Sequence, residues 1–261
     1  MSRRTWSSFA TGRNWPPSRG TELVVFPEAT MRAFGNRLTD IAEPLTGPFA
    51  TAVQQIAHQF GVTIALGMFT PGDAGRVRNT LLVVGPDAIA TSYHKIHLFD
   101  AFGFAESDTV TPGTSPTTVT IGGTEVGLAV CYDIRFPNLF VRLAEMGARI
   151  IIVPASWGAG QTDQEHDAKL DQWRLLVRAR ALDSTCFIVA VGQADPRTAP
   201  EHQGGTPGSA PTGIGHSTAV APDGQVLCEL GDAPEFRIID IDPDRVDAVR
   251  ASLPVLANRR I

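Results

Sequence analysis

The chain predicts an α/β fold built as layers in a single domain, and three observations carry that expectation. Short runs rich in Val, Ile and Leu recur from one end of the sequence to the other, each short enough to be a buried strand. Longer stretches with helical spacing of their apolar residues separate several of these runs. A length of 261 residues with 43% apolar content is enough for a sizeable core.

The elements follow in order. Residues 22–26 put four apolar residues into a short strand, which Pro27 ends, leaving Glu28 at its tip. A helical pattern spans 47–60, and strand-like runs follow at 62–69 and 80–84. A further strand, 88–93, feeds into Ser92-Tyr-His-Lys-Ile-His-Leu-Phe-Asp100. Runs at 117–121 and 124–130 come next, the second stopping abruptly at the polar turn that begins with Cys131. Pro137 then suits the first turn of a helix over 137–147, with Leu139, Phe140, Leu143 and Met146 on its apolar face. A strand at 149–153 precedes a helix at 167–184, where Leu170, Trp173, Leu176 and Val177 share one face. Strands at 186–191, 216–221 and 235–241 and a helix at 243–251 complete the pattern.

Two stretches fall outside it. Residues 1–20 show no apolar alternation, and Pro16-Pro17 interrupts any helix, so this segment is expected to be poorly ordered and to contribute no strand. Residues 193–215, rich in Gly, Pro, Ala and Thr, read equally as a surface excursion or as a lid over a pocket.

The chemistry concentrates at three strand ends. Cys131, at a strand-to-helix junction, can lie near unpaired backbone N–H groups, which favour a thiolate and a nearby oxyanion. Glu28, just beyond a buried strand, is poorly solvated and suited to proton transfer. Lys95 sits among apolar and aromatic neighbours, an uncommon setting for lysine. A thiol, a carboxylate and an ammonium in such places are the parts of a covalent amide hydrolase.

The motifs Phe26-Pro-Glu28, His94-Lys-Ile-His-Leu-Phe-Asp100 and Cys131-Tyr-Asp-Ile-Arg-Phe-Pro137 stand in the order of the nitrilase, or carbon–nitrogen hydrolase, superfamily, which the chain resembles from about residue 21 to about residue 256. The turn at Cys131 resembles the amidase branch, including ω-amidase and deaminated-glutathione amidase, rather than the Cys-Trp-Glu of nitrilases. The resemblance implies a four-layer α-β-β-α sandwich over 21–261, with the family's opening strand and helix missing from 1–20. A truncated or wrongly started N-terminus is the reading of that gap. The resemblance also implies a Glu28–Lys95–Cys131 triad, with Glu106 as a second active-site glutamate. Tyr132 would add a backbone N–H to the oxyanion site, and Trp157 would line the pocket. Arg135 reads as a structural ion-pair former beside Asp133, within reach of a substrate carboxylate. Hydrolysis of a small carboxylated amide through a thioester is the implied reaction, with an N-carbamoyl substrate or a catalytically impaired scaffold as alternatives. A homodimer or higher homo-oligomer is implied as well.

Other classes fare worse. A net charge of −5 offers no basic surface for nucleic acid, and no apolar run reaches the ~20 residues that span a membrane. Cys131, Cys186 and Cys228 are odd in number and widely spaced, which fits a reduced cytoplasmic setting and neither a disulfide framework nor a zinc site. His94 and His97 flank Lys95 and read as packing and hydrogen-bonding supports rather than metal ligands, so no metal or cofactor is expected. A papain-like pairing of Cys131 with His166, His202 or His216 is the rival chemistry.

Overall fold

The structure, a computed structural model, describes residues 20–160, 162–198 and 213–260, together with residues 4–9 by backbone alone. In chain order the strands are β1 (Arg4–Phe9), β2 (Thr21–Val25), β3 (Thr63–Pro71), β4 (Val77–Val84), β5 (Ile89–His94), a two-residue pair β6 (Asp100–Ala101) and β7 (Phe104–Ala105), β8 (Thr117–Ile121), β9 (Thr124–Leu128), β10 (Ile150–Ala155), β11 (Phe187–Gly192), β12 (Thr218–Val220), β13 (Val226–Glu229) and β14 (Phe236–Ile241). The α-helices are α1 (Pro48–Phe60), α2 (Pro137–Glu145), α3 (Asp163–Ser184), α4 (Arg245–Ser252) and α5 (Val255–Asn258).

Two six-stranded sheets form the centre, ordered β14-β1-β2-β3-β4-β5 and β13-β12-β11-β10-β9-β8. Each is parallel in the middle, at β1-β2-β3 and β9-β10-β11, and antiparallel towards its edges. The two-residue period of the strands sorts their side chains into layers. Leu23 and Val25 of β2, Ala65 of β3 and Leu81 and Val83 of β4 face the second sheet and join Val126, Leu128 and Ile152 in the main core. Their alternates Val24, Ile64, Leu66, Leu82 and Val84 pack instead with Ala50, Val53 and Ala57 of α1. On the far side, α2 and α3 cover the second sheet with Leu139, Phe140, Leu143, Trp173 and Val177. Burial on both faces explains why these strands read as unbroken apolar runs. The result is the expected α-β-β-α sandwich.

The N-terminus corrects one expectation. Residues 4–9 are not without structure: β1 lies between β14, antiparallel, and β2, parallel, with Ser7 opposite both Ile238 and Val24. A central strand held by ladders on both sides can form without the apolar alternation that marks its neighbours. Residues 10–19, where an opening helix was expected to be missing, lie outside the described residues. So does 199–212, the middle of the stretch read as a lid. The ends of that stretch are pinned, Gln193 N–H to the Ala155 carbonyl at 2.9 Å and Gly215 N–H to the Gln193 carbonyl at 2.8 Å. Among the described residues, no helix is long and apolar enough to cross a membrane.

Candidate active site

Glu28 is placed by the end of β2. After Val25 the chain turns at Pro27, and Ala29 takes a left-handed conformation, φ 56°, which costs a non-glycine residue roughly 1–2 kcal/mol. The turn lies directly on β3, where the Gly67 N–H donates to the Pro27 carbonyl at 3.3 Å and the Gly67 carbonyl accepts from Met31 N–H at 3.0 Å. A Cβ on Gly67 would overlap the backbone of Ala29 and Glu28, so only glycine admits so close an approach. The Glu28 carboxylate is then gripped from three sides. Oε1 accepts from Lys95 Nζ at 3.0 Å and Asn79 Nδ2 at 2.8 Å, and Oε2 accepts from the Ser156 backbone N–H at 2.8 Å.

Lys95 follows β5 and is fixed by its own backbone, its N–H donating to the Asn79 carbonyl at 2.9 Å and its carbonyl accepting from Gly113 N–H at 2.8 Å. Its ammonium reaches Glu106 Oε2 at 2.9 Å and Oε1 at 3.2 Å as well as Glu28. Glu106 comes directly after the β6–β7 hairpin and is braced by Phe99 N–H on Oε2 at 2.7 Å. Asn79, inside β4, touches both acids, its Nδ2 lying 3.1 Å from Glu106 Oε1. Glu28, Lys95, Asn79 and Glu106 are each at least 97% buried, so two carboxylates and one ammonium must balance without bulk water.

Cys131 enters from the second sheet. It follows β9 and opens a 3₁₀ turn, Cys131–Arg135, with φ 46° at the cysteine itself. The turn is tied by fully buried Asp133. Its Oδ2 accepts from Tyr93 Oη at 2.7 Å and Val130 N–H at 2.9 Å, and its Oδ1 from His97 N–H at 3.0 Å and His97 Nδ1 at 2.7 Å. One buried acid thus binds the turn to β5 of the opposite sheet. Glu28 stands close enough to the thiol for its charge to act on it, and the Ser156 N–H anchors that carboxylate.

Burial, followed by the Glu28 charge, pushes the Cys131 thiol well above its ordinary range, and the Lys95 ammonium offsets this only in part. The junction therefore does not favour a resting thiolate, as its position in the sequence implied. Desolvation outweighs the turn dipole, and the thiol keeps its proton until a base takes it. For Lys95, burial acts to lower its pKa, but the Glu106 and Glu28 carboxylates reverse that and hold it protonated well above the usual lysine value. Burial also raises the thiols of Cys186 and Cys228, but neither has the Glu28–Lys95 pair beside it as Cys131 does.

The structure brings the remaining sequence candidates around this centre. Arg135 lies over the rings of Trp157 at 4.9 Å and Tyr132 at 5.8 Å and donates to Gln172 at 2.7 Å. Asp133 has His97 and Tyr93 as partners instead of Arg135, which corrects the expected ion pairing. Trp157 is buried, with its indole N–H on the Lys169 carbonyl at 3.1 Å. His94 Nδ1 meets Thr80 Oγ1 at 3.0 Å, and His97 stacks on Phe136 with ring centroids 3.7 Å apart, so each acts as a support. Of the rival bases, His166 pairs with Asp167 and His216 with Glu229, while His202 lies outside the described residues. Among the described residues, no cluster of three or more His, Cys, Asp or Glu could hold a metal ion. Sequence reasoning missed two participants. Asn79 carried little signal, standing between Arg78 and Thr80 at the polar start of β4. Ser156 carried none, because its contribution is a backbone N–H.

Comparison with known proteins adds four findings. A family model described as carbon–nitrogen hydrolase matches residues 5–251. A protein of Mycobacterium tuberculosis (strain ATCC 25618 / H37Rv) named Hydrolase Rv0480c is 50% identical over 243 residues, covering 92% of this chain and 84% of its own length. The deaminated glutathione amidase of Escherichia coli O157:H7 is 33% identical over 243 residues, covering 91% of this chain and 84% of its own. Among solved structures, a carbon–nitrogen hydrolase from Helicobacter pylori G27 superposes with a TM-score of 0.85 at 23% identity, covering 99% of this chain and 96% of that one.

Proposed function

The chain belongs to the carbon–nitrogen hydrolase family, and from that premise we propose that it hydrolyses the amide C–N bond of a small carboxylated amide through a thioester on Cys131. One observation carries the reading. The Glu28 carboxylate is held by Lys95, Asn79 and the Ser156 N–H, and its charge still acts on the Cys131 thiol. A buried neutral thiol needs a base at the moment of attack, and Glu28 is the acceptor in reach.

The steps follow from that arrangement. Glu28 takes the thiol proton as Cys131 Sγ attacks the amide carbon, and the carbonyl π pair moves onto oxygen. An ammonium has three N–H donors. Lys95 gives one to Glu28 and shares another between the Glu106 oxygens, leaving the third for the oxyanion. The Tyr132 N–H, in the first turn of a 3₁₀ segment, is the second oxyanion donor. The tetrahedral adduct collapses as Glu28 returns the proton to the departing nitrogen, releasing ammonia and leaving the thioester. Glu28 then deprotonates a water, whose oxygen attacks the thioester carbon and expels the sulfur, which regains its proton. Glu106 holds Lys95 in place throughout.

Arg135 supports the carboxylated class of substrate. Its guanidinium is stacked on Trp157 and Tyr132, close to the nucleophile turn, and keeps donors for a carboxylate beyond the one it gives Gln172. The impaired-scaffold alternative drew on a missing first strand, and β1 is present in the sheet. The same proposal takes the protein as a cytoplasmic homo-oligomer. Leu175 of α3 and Leu253 after α4 are 68% and 48% exposed, surface that a second copy would cover.

The test is an ammonia-release panel of terminal amides of small dicarboxylic acids, uncharged amides, N-carbamoyl amino acids and nitriles, read together with intact mass under rapid acid quench. Turnover of the carboxylated amides, with an acyl adduct that vanishes in Cys131→Ala, supports the proposal. Turnover of only N-carbamoyl compounds, or full activity in Cys131→Ala, refutes it.

A further inference from the structure

The two acids of the site share more than a cation. Oε1 of Glu28 and Oε1 of Glu106 both contact Lys95 Nζ, at 3.0 and 3.2 Å, and both contact Asn79 Nδ2, at 2.8 and 3.1 Å. The four atoms close a ring in which two carboxylates are bridged once by a charged donor and once by a neutral one. The backbone of Asn79 is part of the same assembly, since its carbonyl accepts from the Lys95 N–H.

This arrangement leaves a gap elsewhere. Asn79 Oδ1 is buried and has no hydrogen-bond partner, the kind of omission that costs roughly 1–3 kcal/mol. The amide cannot be turned round to satisfy it, because its oxygen would then face two carboxylates. A buried acceptor left empty beside two carboxylates points to the donor side of the amide as the part that matters. The neutral charge of the donor matters too. Lys or Arg in its place would cancel the remaining negative charge and weaken the base, while an apolar residue would leave two close carboxylates with one donor between them.

We propose that Asn79 is a positioning residue of the catalytic centre, bridging Glu28 to Glu106 so that Glu28 stays aimed at the Cys131 thiol. This rests on the reading of Glu28 as the proton carrier. The groups facing Glu28 are Lys95 from the end of β5, Glu106 after β7, Cys131 after β9 and the Ser156 N–H after β10. With Asn79 removed, the carboxylate is less well aimed, while substrate contacts are untouched.

The experiment compares Asn79→Ala and Asn79→Ser with the unaltered protein, on an amide identified in the panel above. In Asn79→Ala, kcat is expected to fall by about 100-fold, as for a catalytic group displaced by about 1 Å, with KM within about 3-fold. Asn79→Ser, whose hydroxyl can serve one carboxylate, is expected to recover part of the lost kcat. Thermal unfolding of both variants shows whether they fold. Unchanged kcat in a folded Asn79→Ala, or a loss carried by KM instead of kcat, overturns the proposal, and so does failure of both variants to fold, which would assign Asn79 to stability. Glu28→Gln and Cys131→Ala separate this from the reading beneath it. If either of those keeps its activity, the triad itself is wrong; if both are inactive and Asn79→Ala is normal, the inference about Asn79 alone falls.

Discussion

Replacing Asp133 by Asn changes a single atom type in a fully buried group, and the structure gives the size of the effect. The carboxylate accepts four hydrogen bonds, two on each oxygen, from Tyr93 Oη, Val130 N–H, His97 N–H and His97 Nδ1. Asparagine keeps one oxygen and presents an NH₂ in place of the other; Tyr93 Oη and His97 Nδ1 can each accept from it, but whichever way the amide turns one backbone donor, Val130 N–H or His97 N–H, faces a donor. At about 1–3 kcal/mol for an unsatisfied buried group, the loss is roughly 1–3 kcal/mol. For a chain of this length that corresponds to a fall in Tm of roughly 2–12 °C, at about 2–4 °C per kcal/mol. The Cys131 turn loses its tether at the same time, so kcat should fall too, although Asp133 is not placed to touch a substrate. The assay is thermal unfolding by circular dichroism, paired with steady-state ammonia release below the melting range. A Tm within about 1 °C of the unaltered protein would refute the view that Asp133 ties the two sheets together.

Three further outcomes are expected. Gly67→Ala should push the Glu28–Ala29 turn off β3 and lower kcat by about 100-fold; steady-state rates equal to those of the unaltered protein would show the turn to be more yielding than its packing implies. Ser7→Pro should remove a ladder donor from β1 and lower Tm, and an unchanged midpoint would mean that β1 is not paired as described. Stability should decline on the alkaline side, because Cys131, Cys186 and Tyr93 keep their protons in the folded chain to higher pH than in the unfolded one. Below about pH 7.5 these groups are neutral in both states and contribute their full stability; above it the unfolded chain loses protons first and is favoured, so stability falls progressively through about pH 8–11. Denaturant midpoints that stay flat over that range would count against the burial argument.

The candidate site was legible because Glu28 and Cys131 each terminate a buried apolar run, where a polar side chain is conspicuous, and because Lys95 stands among apolar and aromatic neighbours. The layers follow from the same apolar runs. What could not be read was whatever the backbone supplies. The Ser156 N–H on Glu28 leaves no trace in residue identity, and β1 is held by ladders to β2 and β14 that any sequence without an interior proline could make. Edge strand β13 is only partly buried and lacks a clear apolar pattern. The resting state of Cys131 was misjudged for another reason: a turn dipole can be inferred from position, whereas full burial beside a carboxylate depends on a second sheet contributed by residues far away in the chain.

That division of the centre between two sheets has a consequence for how the protein acquires its activity. Glu28, Asn79, Lys95 and Glu106 belong to one half of the sandwich and Cys131 and Ser156 to the other, and the bond from Ser156 N–H to Glu28 joins positions 128 residues apart. On the proposed mechanism neither half is a working fragment, and contacts so distant in sequence close late, after local strands and helices have formed. In refolding, therefore, regained secondary structure does not measure regained enzyme. Turnover returns only when the sheets have docked in register, and it serves as a more demanding gauge of the native state than any signal from the backbone.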